Sequence, residues 1–284
     1  MDFKDFSIGL KIIIQVKFSN QKLLLIGSGN WSKKISSIVK SHNHDLEVTS
    51  IGARDFLNFS PEAIPEYIDG QLIWVATRPI NQMGVLNMII PHTNKVIIEK
   101  PFATSTQELE KMLNIFMETS NRLYLSEPWK HSKVWSKKLN SITENRNFQH
   151  IIINRGGPIE RTYINPVWDW IQHDLGLVGQ LLSEQKENVS IDLKWVQQNK
   201  TLNINLVSPH EFRIELNVGY FSEKIAVWEI NGETKIDFIN SGELNDDPIN
   251  TMFEHVASEN FQSNINEQTW LTEKIITLLD SKSL

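Results

Sequence analysis

Three side chains in this sequence have the chemistry and the placement to handle a proton together: Lys100, Asp169 and His173. Lys100 stands in Glu99-Lys100-Pro101 at the end of the apolar run 95–98, and the other two are four residues apart in Val167-Trp168-Asp169-Trp170-Ile171-Gln172-His173. On a helix that spacing brings a carboxylate and an imidazole to one face. An imidazole, with an ordinary pKa of ~6.5, can take the proton of a hydroxyl near neutral pH. A lysine beside it can stabilise charge developing on the reacting oxygen, or share the proton transfer if its own pKa is lowered. The carboxylate would orient the imidazole or bind a neighbouring hydroxyl. Singly, each has a structural explanation, Asp169 as a helix cap and His173 as a hydrogen-bonded packing residue. Their combination with a strand-end lysine points to catalysis, and the chemistry it suits is hydride exchange between a nicotinamide and a secondary alcohol or ketone.

A dinucleotide needs a cradle for its pyrophosphate, and Gly27-Ser28-Gly29-Asn30-Trp31-Ser32 has the form of one. Gly27 permits a tight turn after a strand, Gly29 a close backbone approach, and the N–H groups of the helix opening at Asn30 and Trp31 face the anion. Ser32 takes the place of the third glycine of that fingerprint. The second strand ends in Gly52-Ala53-Arg54-Asp55. With Ala53 where an acidic residue would bind the ribose of NAD, and Arg54 able to pair with a 2′-phosphate, NADP is favoured over NAD. In the alternative, Asp55 bonds the ribose and Arg54 is solvated.

These residues require a strand-helix alternation to hold them. The run 22–26 reads as a strand buried on both faces, and Trp31, Ile35, Ile38 and Val39 make the apolar stripe of the helix that follows. Strands are predicted at 46–53, 71–77, 95–98 and 123–125, with helices through Val85, Met88 and Ile89 and through Leu109, Met112, Leu113 and Phe116, the latter opened by a Ser105/Glu108 capping box. Such alternation predicts a doubly wound parallel sheet. After Ser126 the pattern changes. Strands are predicted at 151–153, 189–196, 202–207 and 212–218, and Asn231-Gly232 between 226–230 and 234–239 marks a hairpin. The fold expected is α/β: an extension 1–21, a Rossmann domain 22–126, and an α+β domain 127–284 with a largely antiparallel open sheet. A partly apolar outer face on that sheet is a natural seat for a second subunit, giving a homodimer or homotetramer. Residues 1–21 could be an edge strand, an arm, or a start site placed too early.

Within the second domain, Trp168, Trp170 and Trp129 could stack on a sugar ring or fill the core. Arg155 and Arg161 flank Gly156-Gly157-Pro158, which reads as a loop able to cover a substrate and bind an anionic group, or as a solvated loop. Composition narrows the partners. The net charge is −6 with no run of basic residues, which argues against a nucleic-acid surface. Without cysteine there are no disulfides or thiolate metal sites, and the other histidines are scattered, so no metal is expected. Apolar residues at 40% and charged residues at 22% describe a globular chain, and no stretch is long enough to span a bilayer. A cytoplasmic protein is expected.

From Lys22 almost to its end the sequence resembles the glucose-fructose oxidoreductase and inositol dehydrogenase (Gfo/Idh/MocA) family of NAD(P)-dependent oxidoreductases. The resemblance rests on the glycine turn, Thr77-Arg78-Pro79, Glu99-Lys100-Pro101 with its capped helix, the Asp169/His173 pair, and Pro248-Ile249 leading into a final helix. It implies a catalytic set of Lys100, Asp169 and His173, and cofactor contacts from Gly27, Gly29, Asn30, Trp31, Arg54, Thr77, Pro79, Glu99 and Lys100. Arg161 and Trp168 are the candidate substrate contacts. A sugar, inositol or nucleotide sugar is the substrate class implied. The sequence departs from the family pattern: Ile171 replaces a glycine, Gly176 replaces an aspartate three residues after the histidine, and Asn81 and Gln82 stand near where a histidine is usual. Two other readings remain open, a dinucleotide-binding sensor or scaffold without turnover and a C=N or C=C reductase.

Overall fold

The computed structural model describes residues 21–281 apart from 94, 120–121, 145–149, 159–162, 183–186, 198–199, 209–212, 240–246 and 259–260. In the first half, β1 (Lys22–Ile26), β2 (Glu47–Ile51), β3 (Gln71–Val75), β4 (Val96–Ile98) and β5 (Leu123–Leu125) form a parallel sheet in the order β2-β1-β3-β4-β5. Between them run α1 (Asn30–His42), α2 (Ala53–Phe56), α3 (Ile64–Ile68), α4 (Pro79–Ile89) and α5 (Thr106–Thr119). The second strand is shorter than predicted, because the chain turns into α2 at Ala53. Helix α5 opens as its sequence predicts: Ser105 Oγ accepts from the Glu108 N–H at 3.2 Å, and the Glu108 carboxylate reaches back to the Thr104 N–H at 2.8 Å.

Side chains of this sheet alternate between two covered faces. Leu23, Leu25, Trp74 and Ile97 pack against α1, while Leu24, Ile26, Val75 and Ile98 pack against the α4 side. Beside α1 lies α9 (Pro248–Ala257), whose Ile249, Met252, Phe253 and Val256 complete that face. The chain thus returns to its first sheet after building the second. It then continues into α10 (Ile265–Ser281), so the helix at Pro248 is not the last.

The second half begins with α6 (Lys133–Glu144) and holds a six-stranded sheet of β6 (His150–Gly157), β7 (Ser190–Gln197), β8 (Thr201–Val207), β9 (Arg213–Tyr220), β10 (Ile225–Ile230) and β11 (Glu233–Asp237). Its order is β11-β10-β6-β9-β8-β7, antiparallel except for the parallel β6–β9 pair. The β10–β11 hairpin turns at Asn231 and Gly232, both at positive φ (51° and 81°), as a two-residue turn matched to strand twist requires. Gly156 and Gly157 lie inside β6 and not in a loop.

One face of this sheet buries Leu202, Ile204, Leu206, Ile214, Leu216 and Trp228 under α7 (Pro166–Trp170) and α8 (Gln172–Leu181). The other face is more polar than expected. Asn203 donates to Asn217 at 2.9 Å and to Glu215 at 3.0 Å, Asn205 donates to Asn203 at 2.7 Å, and Asn217 donates to Asn154 at 3.2 Å. Period-two alternation placed the apolar set inward and left amides at the centre of the outer face.

Candidate active site

The strand order reverses between β1 and β3: after β1 the chain crosses to one face as α1, and after β3 to the other as α4. Such a switch point opens a crevice at the carboxyl ends of the strands. Gly27 lines it at φ 151°, and a Cβ there would sit 2.1 Å from the Ala76 carbonyl oxygen, so no other residue fits between the two strand ends. Ser32 Oγ donates to the Gly27 carbonyl at 2.7 Å and ties the turn to α1. Ser28, Gly29 and Asn30 are exposed at the start of this 13-residue helix, and nothing lies within 4 Å of a Cβ built on Gly29. Open space before free N–H groups fits a dinucleotide pyrophosphate. Thr77 and Pro79 frame the other side of the crevice, Pro79 as the first residue of α4.

At the end of β2, Ala53 is buried and Arg54 is exposed. Asp55 falls in the first turn of α2, where a carboxylate is attracted to free N–H groups. Its Oδ2 lies 2.7 Å from the place a Cβ on Gly52 would take, and Ser28 Oγ lies 3.7 Å from the same point.

Beyond β4, successive residues point in opposite directions. Glu99 turns under the sheet edge, where its Oε1 accepts from Trp74 Nε1 at 2.9 Å with Ser126 and Trp31 beside it. Burial pushes its carboxyl above the usual range, against the lowering pull of those neighbours and of Lys100. Gln82 Nε2 donates to the Glu99 carbonyl at 2.8 Å, so the glutamine near the place of the family's histidine fixes this turn. Lys100 turns the other way, across to the second domain. Its Nζ donates to Asp169 Oδ1 at 3.0 Å and also to the Asp169 carbonyl oxygen. Two residues on, the Phe102 N–H donates to Gln172 Oε1 at 3.3 Å, clamping the start of α8 to the same edge.

Asp169 and His173 lie on two helices and not one, separated at Ile171. That residue keeps helical angles (φ −58°, ψ −39°), so the phase carries through and the pair shares a face. His173 is half-buried with its ring centroid 6.4 Å from that of Trp170. The Trp170 ring also lies 6.0 Å from Lys100 Nζ and 6.0 Å from Lys224 Nζ.

Of the two tryptophans flanking Asp169, the site's neighbour is Trp170. Trp168, the candidate for substrate stacking, is 9% exposed and packs in the core, because residues two apart on a helix point to different sides. Arg161 lies outside the described residues. Arg155 is no loop anion binder: from within β6 it forms a bidentate pair with Asp174 at 2.7 and 2.8 Å, and Trp228 Nε1 donates to the same carboxylate at 2.8 Å. Across the mouth of the crevice the Arg78 guanidinium stacks on Tyr163 at 4.5 Å, a contact between domains with no local sequence signal.

A Rossmann sheet with a glycine turn at its switch point faces a second domain built on a mixed sheet, an arrangement that leaves room for a dinucleotide at the strand ends. Residues 20–127 match the model of the Gfo/Idh/MocA family, described as an oxidoreductase family with an NAD-binding Rossmann fold. No curated protein matches the sequence. Among solved structures, the chain is similar to the dehydrogenase MviM of Clostridium difficile, at 14% identity over 93% of this chain and 100% of that one, with a TM-score of 0.68. The 3-ketoreductase KijD10 of Actinomadura kijaniata, solved with TDP-benzene and NADP, gives 12% identity over 90% and 96% and a TM-score of 0.68. Biliverdin reductase of Synechocystis, solved with biliverdin and NADP+, gives 11% over 92% and 98% and 0.63. At these identities the likeness is one of fold.

Proposed function

We propose that the protein is an NAD(P)-dependent oxidoreductase acting between a secondary alcohol and a ketone of a sugar, inositol or nucleotide sugar. The observation that carries this reading is the Lys100–Asp169 pair, formed across the crevice between the two domains, with His173 on the same helical face. Bound in the crevice, the nicotinamide supplies the hydride acceptor or donor. His173 takes the hydroxyl proton in oxidation and returns it in reduction. Lys100 hydrogen-bonds the reacting oxygen and stabilises its developing charge, and Asp169 holds the ammonium in place. Ser28, Gly29 and Asn30 receive the pyrophosphate, and exposed Arg54 favours the 2′-phosphate of NADP. A cytoplasmic homodimer or homotetramer joined through the amide-lined outer face of the second sheet completes the proposal, and light scattering showing only a 32.8 kDa species would remove that last element.

The test of the reaction is a panel of sugars, inositols and nucleotide sugars with NADP+ or NAD+, followed at 340 nm, and the matching ketones with the reduced cofactors. Turnover on one structural class, abolished by Lys100→Met, is expected. Tight cofactor binding with no turnover across the panel in either direction would contradict it.

A further inference from the structure

Lys100 is not the only ionisable side chain that reaches from the edge of the first sheet to α7 and α8. Glu127, two residues beyond β5, is 5% exposed, and its carboxylate is built into the junction. Asn264 Nδ2 donates to its Oε2 at 3.0 Å, the same Asn264 brackets Leu125 through both backbone N–H and carbonyl, and Lys130 Nζ lies 3.7 Å from Oε2. The other oxygen points at α8. A Cβ on Gly176 would stand 1.3 Å from Glu127 Oε1 and 2.4 Å from its Cδ, so the carboxylate fills the space a side chain at position 176 would occupy.

That space belongs to the catalytic face. Asp169, His173 and Gly176 stand at i, i+4 and i+7, and Ile171 preserves the phase between the helices. Helical side chains lean toward the N-terminus, so the volume in front of Gly176 lies over the turn that carries His173. His173 is therefore bracketed along its face, by Asp169 with Lys100 at one end and by Glu127 at the other. The charged groups on α7, α8 and the elements packed against them are Lys100 and Asp169, bound to each other, Lys224 over Trp170, Lys130 against Glu127, Glu99 under the sheet edge, and the Arg155–Asp174 pair that anchors α8 to β6.

We infer that Glu127 is a positioning residue for His173, supplying from the β5 loop the buried carboxylate charge that Gly176 makes room for and so biasing the charge state of the imidazole. This rests on the reading of His173 as the proton-transferring base. A negative charge close to an imidazole favours its charged form, and a buried site screens that effect weakly.

The test is Glu127→Gln, which keeps the shape and the acceptor for Asn264 but removes the charge. The His173 imidazole is titrated by NMR, its signal assigned by its loss in His173→Asn, alongside the thermal midpoint, NADP(H) affinity and the acid limb of kcat/KM. The expected result is a His173 midpoint lowered by about one pH unit, an acid limb displaced in the same direction, and unchanged NADP(H) affinity. The double variant Glu127→Ala/Gly176→Asp moves the carboxylate onto the helix and should return the midpoint toward the parental value, while Glu127→Ala alone does not. An unchanged midpoint in Glu127→Gln overturns the inference, as does a failure of both Glu127→Gln and the double variant to fold, which would make Glu127 scaffold. If His173→Asn keeps parental kcat, the catalytic reading falls, while the titration still reports whether Glu127 acts on the ring.

Discussion

Asp169 and Asp174 lie five residues apart on consecutive helices, and each meets one cation. The side chains of the Arg155–Asp174 pair are 3% and 1% exposed, and those of the Lys100–Asp169 pair 16% and 13%. In the first, a guanidinium and an indole take both carboxylate oxygens, so the acid is held from β6 and β10 and has no approach for a ligand. In the second, the ammonium reaches across the crevice between domains and stays within reach of solvent. Saturation and burial make one pair a fastener, and partial exposure at a switch point leaves the other able to exchange partners with a substrate.

The sharpest way to break the contrast is to remove one member of each pair. Asp174→Asn strands the Arg155 guanidinium in the core and should cost about 3–5 kcal/mol. By calorimetry that is a fall in Tm on the order of 10 °C for a chain of this size. Lys100→Met should lower Tm by less, since the Asp169 carboxylate it leaves behind keeps more access to solvent than the Arg155 guanidinium does. Equal losses in the two variants would erase the distinction.

A smaller effect concerns the cofactor end of the crevice. Arg54→Ala should weaken NADP(H) about tenfold by calorimetric titration and leave NAD(H) unchanged, the loss of one charge-assisted contact. Asp55→Asn should leave NAD(H) affinity in place, and a clear drop would reassign the ribose to Asp55.

A pH-dependent effect comes from a buried cluster that disfavours charge on its histidines. Tyr124 Oη meets His131 Nε2 at 2.6 Å, and the ring centroid of His255 is 5.2 Å from that of His131. Burial, with His255 and Lys130 nearby, lowers His131 to about 3, and burial also lowers His255. The unfolded chain then takes up the proton first as pH falls below ~6.5, so stability is full above that value and declines as pH drops toward 3. His131→Gln should flatten part of that decline in urea melts collected from pH 7 to pH 4.

What was legible in the sequence was local. A strand-end lysine, a four-residue helical spacing, a Gly-x-Gly turn and an Asn-Gly hairpin each carry their geometry within a few residues, and Lys100, Asp169, Gly27 and Asn231 lie where those signals place them. What stayed hidden depends on contacts across many residues. Arg155 reads as a loop cation until β6 runs through it to meet Asp174, Trp168 and Trp170 are indistinguishable until one turns into the core, and nothing near Gly176 announces Glu127. The return of α9 to the first sheet is of the same kind, since its apolar stripe fits either domain.

The measurement that bears most directly on the site is steady-state turnover of Lys100→Met and His173→Asn on a substrate found with the panel, with NADP(H) affinity measured on the same preparations. The expected result is a fall in kcat of ~10²- to 10⁴-fold in each variant while cofactor affinity and Tm stay close to the parent's. Near-parental kcat in both variants, with cofactor bound normally, would contradict it and leave the crevice as a dinucleotide-binding sensor.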